Sequence, residues 1–151
     1  MNINFHFLWT LKKLAMPPNN KSLLIVDDDP DDRSLFIEAV KEIDDTIHCI
    51  SATNGQEALE VLNSADQLPD FIILDLRMPR YGGKKCLYEI KRNARLAHIP
   101  VIIYTTSKNV DESNELKEMG ACHFMTKPRN SDEIYYMAAF VLGELRNFTS
   151  L

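Results

Sequence analysis

The stretch DFIILDLRMPRYGG, residues 70–83, runs apolar residues straight into a carboxylate, Asp75, and then turns at Met78-Pro79 and Gly82-Gly83. A short apolar run bounded by turn residues reads as a strand buried on both faces. The pattern recurs at LLIVD (23–27), IHCIS (47–51), PVIIYT (100–105) and CHFMT (122–126). Between these runs, Pro30–Ile43, GQEALEVLNSA (55–65), GKKCLYEIKRN (83–93) and VDESNELKEMG (110–120) have helical period. Asp132–Phe148 forms a last helical segment, with Ser131 as its expected N-cap. Five buried strands alternating with five helices predict an α/β domain with a doubly wound five-stranded parallel sheet.

The bulk properties suit that fold. A chain of 151 residues accommodates one domain with a full core and a short appendage. The net charge of −5 argues against unspecific nucleic-acid binding, which needs an excess of cations. Cys49, Cys86 and Cys122 are odd in number and far apart, and read as buried, reduced cysteines of a cytoplasmic protein. Residues 1–20 stand apart as an N-terminal extension, disordered or an accessory helix. Its apolar run is too short for a membrane span, and it lacks the charge order of a secretory signal. The domain proper is expected over 21–148, with 149–151 as a tail.

Open α/β sheets collect their chemistry at the carboxyl ends of the strands. Here those ends carry Asp27 and Asp28, Asp75, Thr105 and Lys127. Each has an ordinary explanation alone: acids complement helix N-termini, threonine favours strands, and lysine favours surfaces. Asp29 before Pro30 reads as an N-cap followed by proline at the first helical position. The topology nevertheless brings all these ends to one edge. Crowded carboxylates repel and favour a divalent cation, and Mg²⁺ binds through one or two carboxylates plus phosphoryl oxygens. An aspartate is ionised at neutral pH without help and can act as a nucleophile. A lysine and a threonine hydroxyl supply contacts for phosphoryl oxygens.

Together LLIVDDDP, DFIILDLRMPRYGG, PVIIYTTS and GACHFMTKP resemble the receiver domain of two-component response regulators. Asp75, Met78, Pro79 and Gly83 meet the family's D-x-x-M-P-x-x-x-G spacing, and the resemblance spans Lys21 to Phe148. It implies a flavodoxin-like (βα)5 fold with strand order 2-1-3-4-5. It further implies Asp75 as phosphoacceptor and an Mg²⁺ site formed by Asp27, Asp28, Asp75 and the backbone carbonyl of Arg77. Thr105 and Lys127 would contact the phosphoryl group, Thr105 and Phe124 would act as switch residues, and the Lys127–Pro128 peptide would be cis. The implied partners are a histidine kinase or phosphotransfer protein as donor and a downstream protein target. YTTS and TKPRN look most like the stand-alone regulators associated with phytochromes. The sequence departs from the family pattern at Gly82, where an acidic or polar residue is common, and at Thr106, which is larger than usual. Arg77 and the small Ser107 occupy positions that tend to set dephosphorylation rate.

Other readings fare worse. Asp27, Asp29, Asp31 and Glu38 mimic EF-hand spacing, but Asp32 stands where the loop needs glycine. A dehalogenase-type phosphatase needs a second acid where Arg77 stands, and no phosphate-binding glycine loop occurs. A run of cations, Arg77, Arg80, Lys84, Lys85, Lys91, Arg92 and Arg95, reads as a solvated face or a docking surface for an acidic partner. In the last helix Ile134, Met137, Ala138, Val141 and Leu145 make a core stripe, leaving Tyr136 and Phe140 on another face. These two are either packed beneath a loop or part of a homodimer or partner surface. The leading functional expectation is a phosphorylation-dependent switch that catalyses its own phosphorylation and hydrolysis and is no enzyme acting on a separate substrate. The alternative is a receiver-like scaffold or phosphate sink that does not signal by phosphorylation.

Overall fold

A computed structural model describes residues 21–106 and 109–149; side chains beyond Leu145 are not described. The expectations for residues 1–20, for Ser107 and for the last two residues lie outside the described part.

The strands are β1 (Ser22–Val26), β2 (His48–Ala52), β3 (Phe71–Asp75), β4 (Val101–Thr105) and β5 (His123–Thr126). Alternating with them are α1 (Pro30–Ile43), α2 (Gly55–Ser64), α3 (Gly83–Arg92), α4 (Val110–Glu118) and α5 (Ser131–Thr149). All pairings are parallel and the strand order is β2-β1-β3-β4-β5, as expected. Among the described residues no helix is long and apolar enough to cross a membrane.

Strands β1, β3 and β4 are buried along their whole length, whereas the edge strands β2 and β5 are partly exposed. Cys49 on β2 and Cys122 before β5 are therefore half-buried, and of the three cysteines Cys86 alone is buried as expected. Period-two alternation divides their side chains between two cores. Leu24, Val26, Ile72, Leu74, Val101 and Ile103 pack against α2, α3 and α4, represented by Leu62, Leu87 and Leu116. Leu23, Ile25, Phe71, Ile73, Ile102 and Tyr104 pack against α1 and α5, represented by Phe36, Val40, Met137 and Val141.

Local chemistry sets where the helices begin. Asp29 caps α1 by accepting from the Asp31 and Asp32 amides at 2.9 and 3.3 Å, and Pro30 opens the helix. Such a cap is worth about 1 kcal/mol. At α5 the expectation is corrected by one residue. Asn130, not Ser131, accepts from the Glu133 amide at 3.0 Å, while Glu133 accepts from the Arg129 amide at 2.7 Å. The reciprocal acceptor three residues on favours Asn130 as cap and leaves Ser131 in the first turn. Gly83 opens α3 because a Cβ there would stand 2.3 Å from the Asp75 carbonyl oxygen and 2.8 Å from Leu76 Cα. The motif glycine thus lets α3 start against the backbone that carries Asp75.

Candidate functional site

Alternation also decides which strand-end side chains meet. Asp27 continues the parity of Leu23 and Ile25, and Asp75 that of Phe71 and Ile73. Tyr104 pairs with Asp75 across the β3–β4 ladder, and Met125, which pairs with Tyr104, leads by the same parity to Lys127. Asp27, Asp75, Tyr104 and Lys127 therefore rise on one face of the sheet, above the α1–α5 core. Thr105 continues the opposite parity, and Phe124 packs against the α2–α4 core.

The ammonium of Lys127 is the hub. Its Nζ lies 3.1 Å from Asp27 Oδ2, 3.2 Å from Asp75 Oδ2 and 3.2 Å from Asp32 Oδ2. Asp27 and Asp75 are buried, and Asp28 is exposed beside them. One carboxylate oxygen from each of Asp27, Asp28 and Asp75 falls within 4.8 Å of the others. At that spacing, two unit charges repel by about 3 kcal/mol with an effective dielectric near 20. One ammonium shared with Asp32 does not offset three such acids. The hollow is electrostatically short of positive charge.

Each acid is held differently. Asp75 Oδ1 accepts from the Arg77 amide at 3.1 Å. Asp75 Oδ2 is buried without a hydrogen bond, and Lys127 meets it at ion-pair distance but out of line. Asp27 Oδ1 accepts from the Asp29 amide at 3.0 Å, and Asp27 Oδ2 accepts from the Tyr104 hydroxyl. Arg33 Nη1 donates to the Asp27 carbonyl at 2.6 Å. Burial, reinforced by the Asp27 charge, pushes the Asp75 carboxyl up to about 7 against the pull of Lys127 and the Arg77 amide. Burial would lower Lys127, but the carboxylates of Asp75 and Asp27 outweigh it and hold the ammonium above the ordinary lysine range. Tyr104 is raised by burial and by the Asp27 charge, so it stays a neutral donor.

A divalent cation fits these residues. Three carboxylate oxygens converge, and the buried Asp75 Oδ2 has an unfilled acceptor. Hard cations of the Mg²⁺ type take oxygen ligands of this kind.

Of the residues expected at the site, Asp27, Asp28, Asp75 and Lys127 are brought together, with Thr105 buried at the end of β4. The Thr105 carbonyl accepts from the Lys127 amide at 2.8 Å, which ties β4 to the lysine loop. The cis expectation for Lys127–Pro128 is corrected: no described peptide bond is cis. Trans is the lower-energy isomer of an X–Pro bond, and the ammonium reaches the acids with the bond in that form. Sequence reasoning missed Tyr104 and the contact of Asp32 with Lys127. Strand parity and the first-turn position of Asp32 were the available signals, but both need the register to become contacts.

The cation run is largely occupied within the chain. Arg77 pairs with Glu112 at 3.0 Å and Lys84 with Glu115 at 2.5 Å. Lys91 caps the Ala97 and Ile99 carbonyls, and Arg95 the Leu62 carbonyl. Tyr136 and Phe140 are exposed, so packing beneath a loop is excluded. They line a groove of about 550 Å³ that leads along Arg129 and Pro128 to Lys127.

Fold and site define a class: a doubly wound α/β domain with a cation-ready acidic hollow and a lysine on its carboxyl edge. The family described as the response regulator receiver domain matches residues 23–139, and the chain belongs to it. Response regulator Rcp1 of Synechocystis sp. is 32% identical over 126 residues, which are 80% of this chain and 84% of Rcp1. The crystal structure of the phosphorylated cyanobacterial phytochrome response regulator RcpA superposes with a TM-score of 0.75 at 27% identity, covering 80% of this chain and 90% of RcpA. The Mn(2+)-bound form of Rcp1 gives 0.73 at 31% identity, covering 80% and 91%. Some relatives are larger: the chain spans 14% of the sensor histidine kinase CheAY of Helicobacter pylori, at 29% identity over 115 residues that are 76% of this chain. Receiver domains are phosphorylation-dependent elements of two-component signalling that interact with histidine kinases or phosphotransfer proteins. The family supports a phosphoacceptor signalling protein and not a conventional enzyme. The scaffold alternative is not favoured.

Proposed function

We propose that Asp75 is the phosphoacceptor of a receiver switch that works with Mg²⁺ in the cytoplasm. The observation that carries this reading is the Lys127 ammonium standing 3.2 Å from the buried, unbonded Asp75 oxygen inside a cluster of acids. Asp27, Asp28, Asp75 and the Arg77 carbonyl would hold the cation. Bound there, it supplies charge neutralisation for the incoming phosphoryl group. The Arg77 amide fixes one Asp75 oxygen, so the other faces the donor.

A carboxylate oxygen of Asp75 forms the new P–O bond while the P–N bond of a phosphohistidine breaks. The imidazole leaves with the electron pair and takes a proton from solvent. Lys127 turns from Asp27 and Asp32 toward a phosphoryl oxygen, and the Thr105 hydroxyl contacts another. The protein's part is positioning and charge compensation, which is most of what phosphoryl transfer requires. Self-catalysed labelling from a small-molecule donor follows from the same geometry, as does hydrolysis of the acyl phosphate. Thr105 and Phe124 carry the change to the α2–α4 side. The exposed Tyr136–Phe140 pair at the groove from Lys127 serves as a contact surface for a downstream protein or a second copy.

The test is incubation with acetyl phosphate and Mg²⁺, followed by intact mass. One phosphoryl adduct is expected on the wild type and none on Asp75→Asn or without metal. An adduct that survives Asp75→Asn would assign the acceptor elsewhere.

A further inference from the structure

Tyr104 is absent from every role described so far, yet it touches both halves of the site. It sits on β4, and its hydroxyl reaches across β3 to Asp27 at the end of β1. The residue is 3% exposed, and its ring lies beneath the Lys127 ammonium, 5.0 Å from Nζ to the centroid. We propose that Tyr104 is a positioning residue for the cation: its hydroxyl orients the Asp27 carboxylate as an ion ligand and holds it when Lys127 leaves. The inference rests on the metal reading above and extends it.

A carboxylate offers about four lone-pair sites. In this structure one neutral donor fixes each oxygen, the Asp29 amide on Oδ1 and the Tyr104 hydroxyl on Oδ2. Lys127 contacts both, at 3.3 and 3.1 Å. Once the ammonium is drawn to a phosphoryl group, the two neutral donors are the protein's remaining hold on this buried carboxylate beside the ion. A neutral donor suits the task. It restrains Asp27 without cancelling the negative charge that attracts the ion, whereas a second cation there would compete with it. Hydrogen-bond partners of metal-ligating carboxylates commonly contribute 10–100-fold to affinity.

Tyr104→Phe tests this cleanly. The ring is retained among Phe36, Met137 and the Lys127 stem, so the fold is expected to survive, as circular dichroism would verify. Calorimetric titration with Mg²⁺ alone, without any phosphoryl donor, is expected to show affinity weakened about tenfold. In an Asp27→Asn background the same substitution should change affinity by less than about twofold, because the hydroxyl acts through that carboxylate. Wild-type or tighter Mg²⁺ binding by Tyr104→Phe overturns the inference. So does an equal tenfold loss in the Asp27→Asn background. The controls separate the two levels. If Asp28→Asn loses Mg²⁺ while Tyr104→Phe does not, the metal site stands and the role of Tyr104 falls. If the wild type itself fails to bind Mg²⁺, both fall.

Discussion

The two faces of the sheet end differently. Above the α1–α5 core the strands finish in Asp27, Asp75, Tyr104 and Lys127, locked together by hydrogen bonds and ion pairs. On the opposite face they finish in Thr105 and Phe124, a small hydroxyl and a partly buried ring. One face is built to hold charge still. The other ends in uncharged groups. Because neighbouring residues of a strand point to opposite faces, Tyr104–Thr105 places a site contact and the proposed switch residue one peptide apart. Under the proposed function, chemistry on one face would reach a response on the other without a long relay.

The largest effect should come from breaking the charged face. Lys127→Ala is expected to slow labelling of Asp75 by acetyl phosphate about 10²–10³-fold, the usual loss for an electrostatic contact to the transferring group. Mg²⁺ should still bind, since a competing ammonium is gone. Labelling at the wild-type rate would remove lysine from the chemistry. Next is stability in the absence of metal. The folded Asp75 carboxyl titrates at about 7 against an ordinary 3.8, so the folded state retains a proton that the unfolded state has lost. Stability should therefore fall as pH rises from about 4 to about 7 and stay low above it. Asp75→Asn should stabilise the metal-free protein at pH 8 by on the order of 2 kcal/mol in urea melts, with little effect near pH 4. Saturating Mg²⁺ should cancel the difference, and a variant less stable than wild type at pH 8 would contradict the account.

Substitutions on the uncharged face should do less to the chemistry. Thr105→Ala should leave labelling within about tenfold of wild type, the scale of one neutral hydrogen bond. It should also abolish the phosphorylation-dependent shift of the Phe124 ring resonances. Persistence of that shift would separate Thr105 from the switch. Tyr136→Ala with Phe140→Glu should not alter labelling at all, while weakening self-association or partner capture by the phosphorylated protein. The smallest effect is at Cys86, whose thiol burial pushes up to about 12. It should resist iodoacetamide at pH 8 until the protein is unfolded, as peptide mapping would show.

Most of this architecture was legible because strong, short-range signals agree. The runs Leu23–Val26, Phe71–Leu74 and Val101–Tyr104 are apolar on both faces, and Asp29-Pro30 marks a helix start that the hydrogen bonds reproduce. The strand-end acids and Lys127 were legible because parallel topology gathers such ends. What escaped notice depends on register or on competition between equals. Tyr104 reads as one more apolar strand residue until pairing places it beside Asp75. Asn130 and Ser131 are both good caps, and Glu133 decides between them. Arg77 and Lys84 look unpaired until α4 brings Glu112 and Glu115 across.

In the proposed function Lys127, Asp28 and Asp75 share one hollow in which a phosphoryl group and a cation sit together. A crystal structure of the protein with beryllofluoride and Mg²⁺ tests it most directly. Beryllium is expected on an Asp75 oxygen, the ion against Asp27 and Asp28, and the Lys127 ammonium moved from Asp32 onto a fluoride. Beryllofluoride bound elsewhere, or Lys127 still paired with Asp32 beside an occupied site, would contradict it.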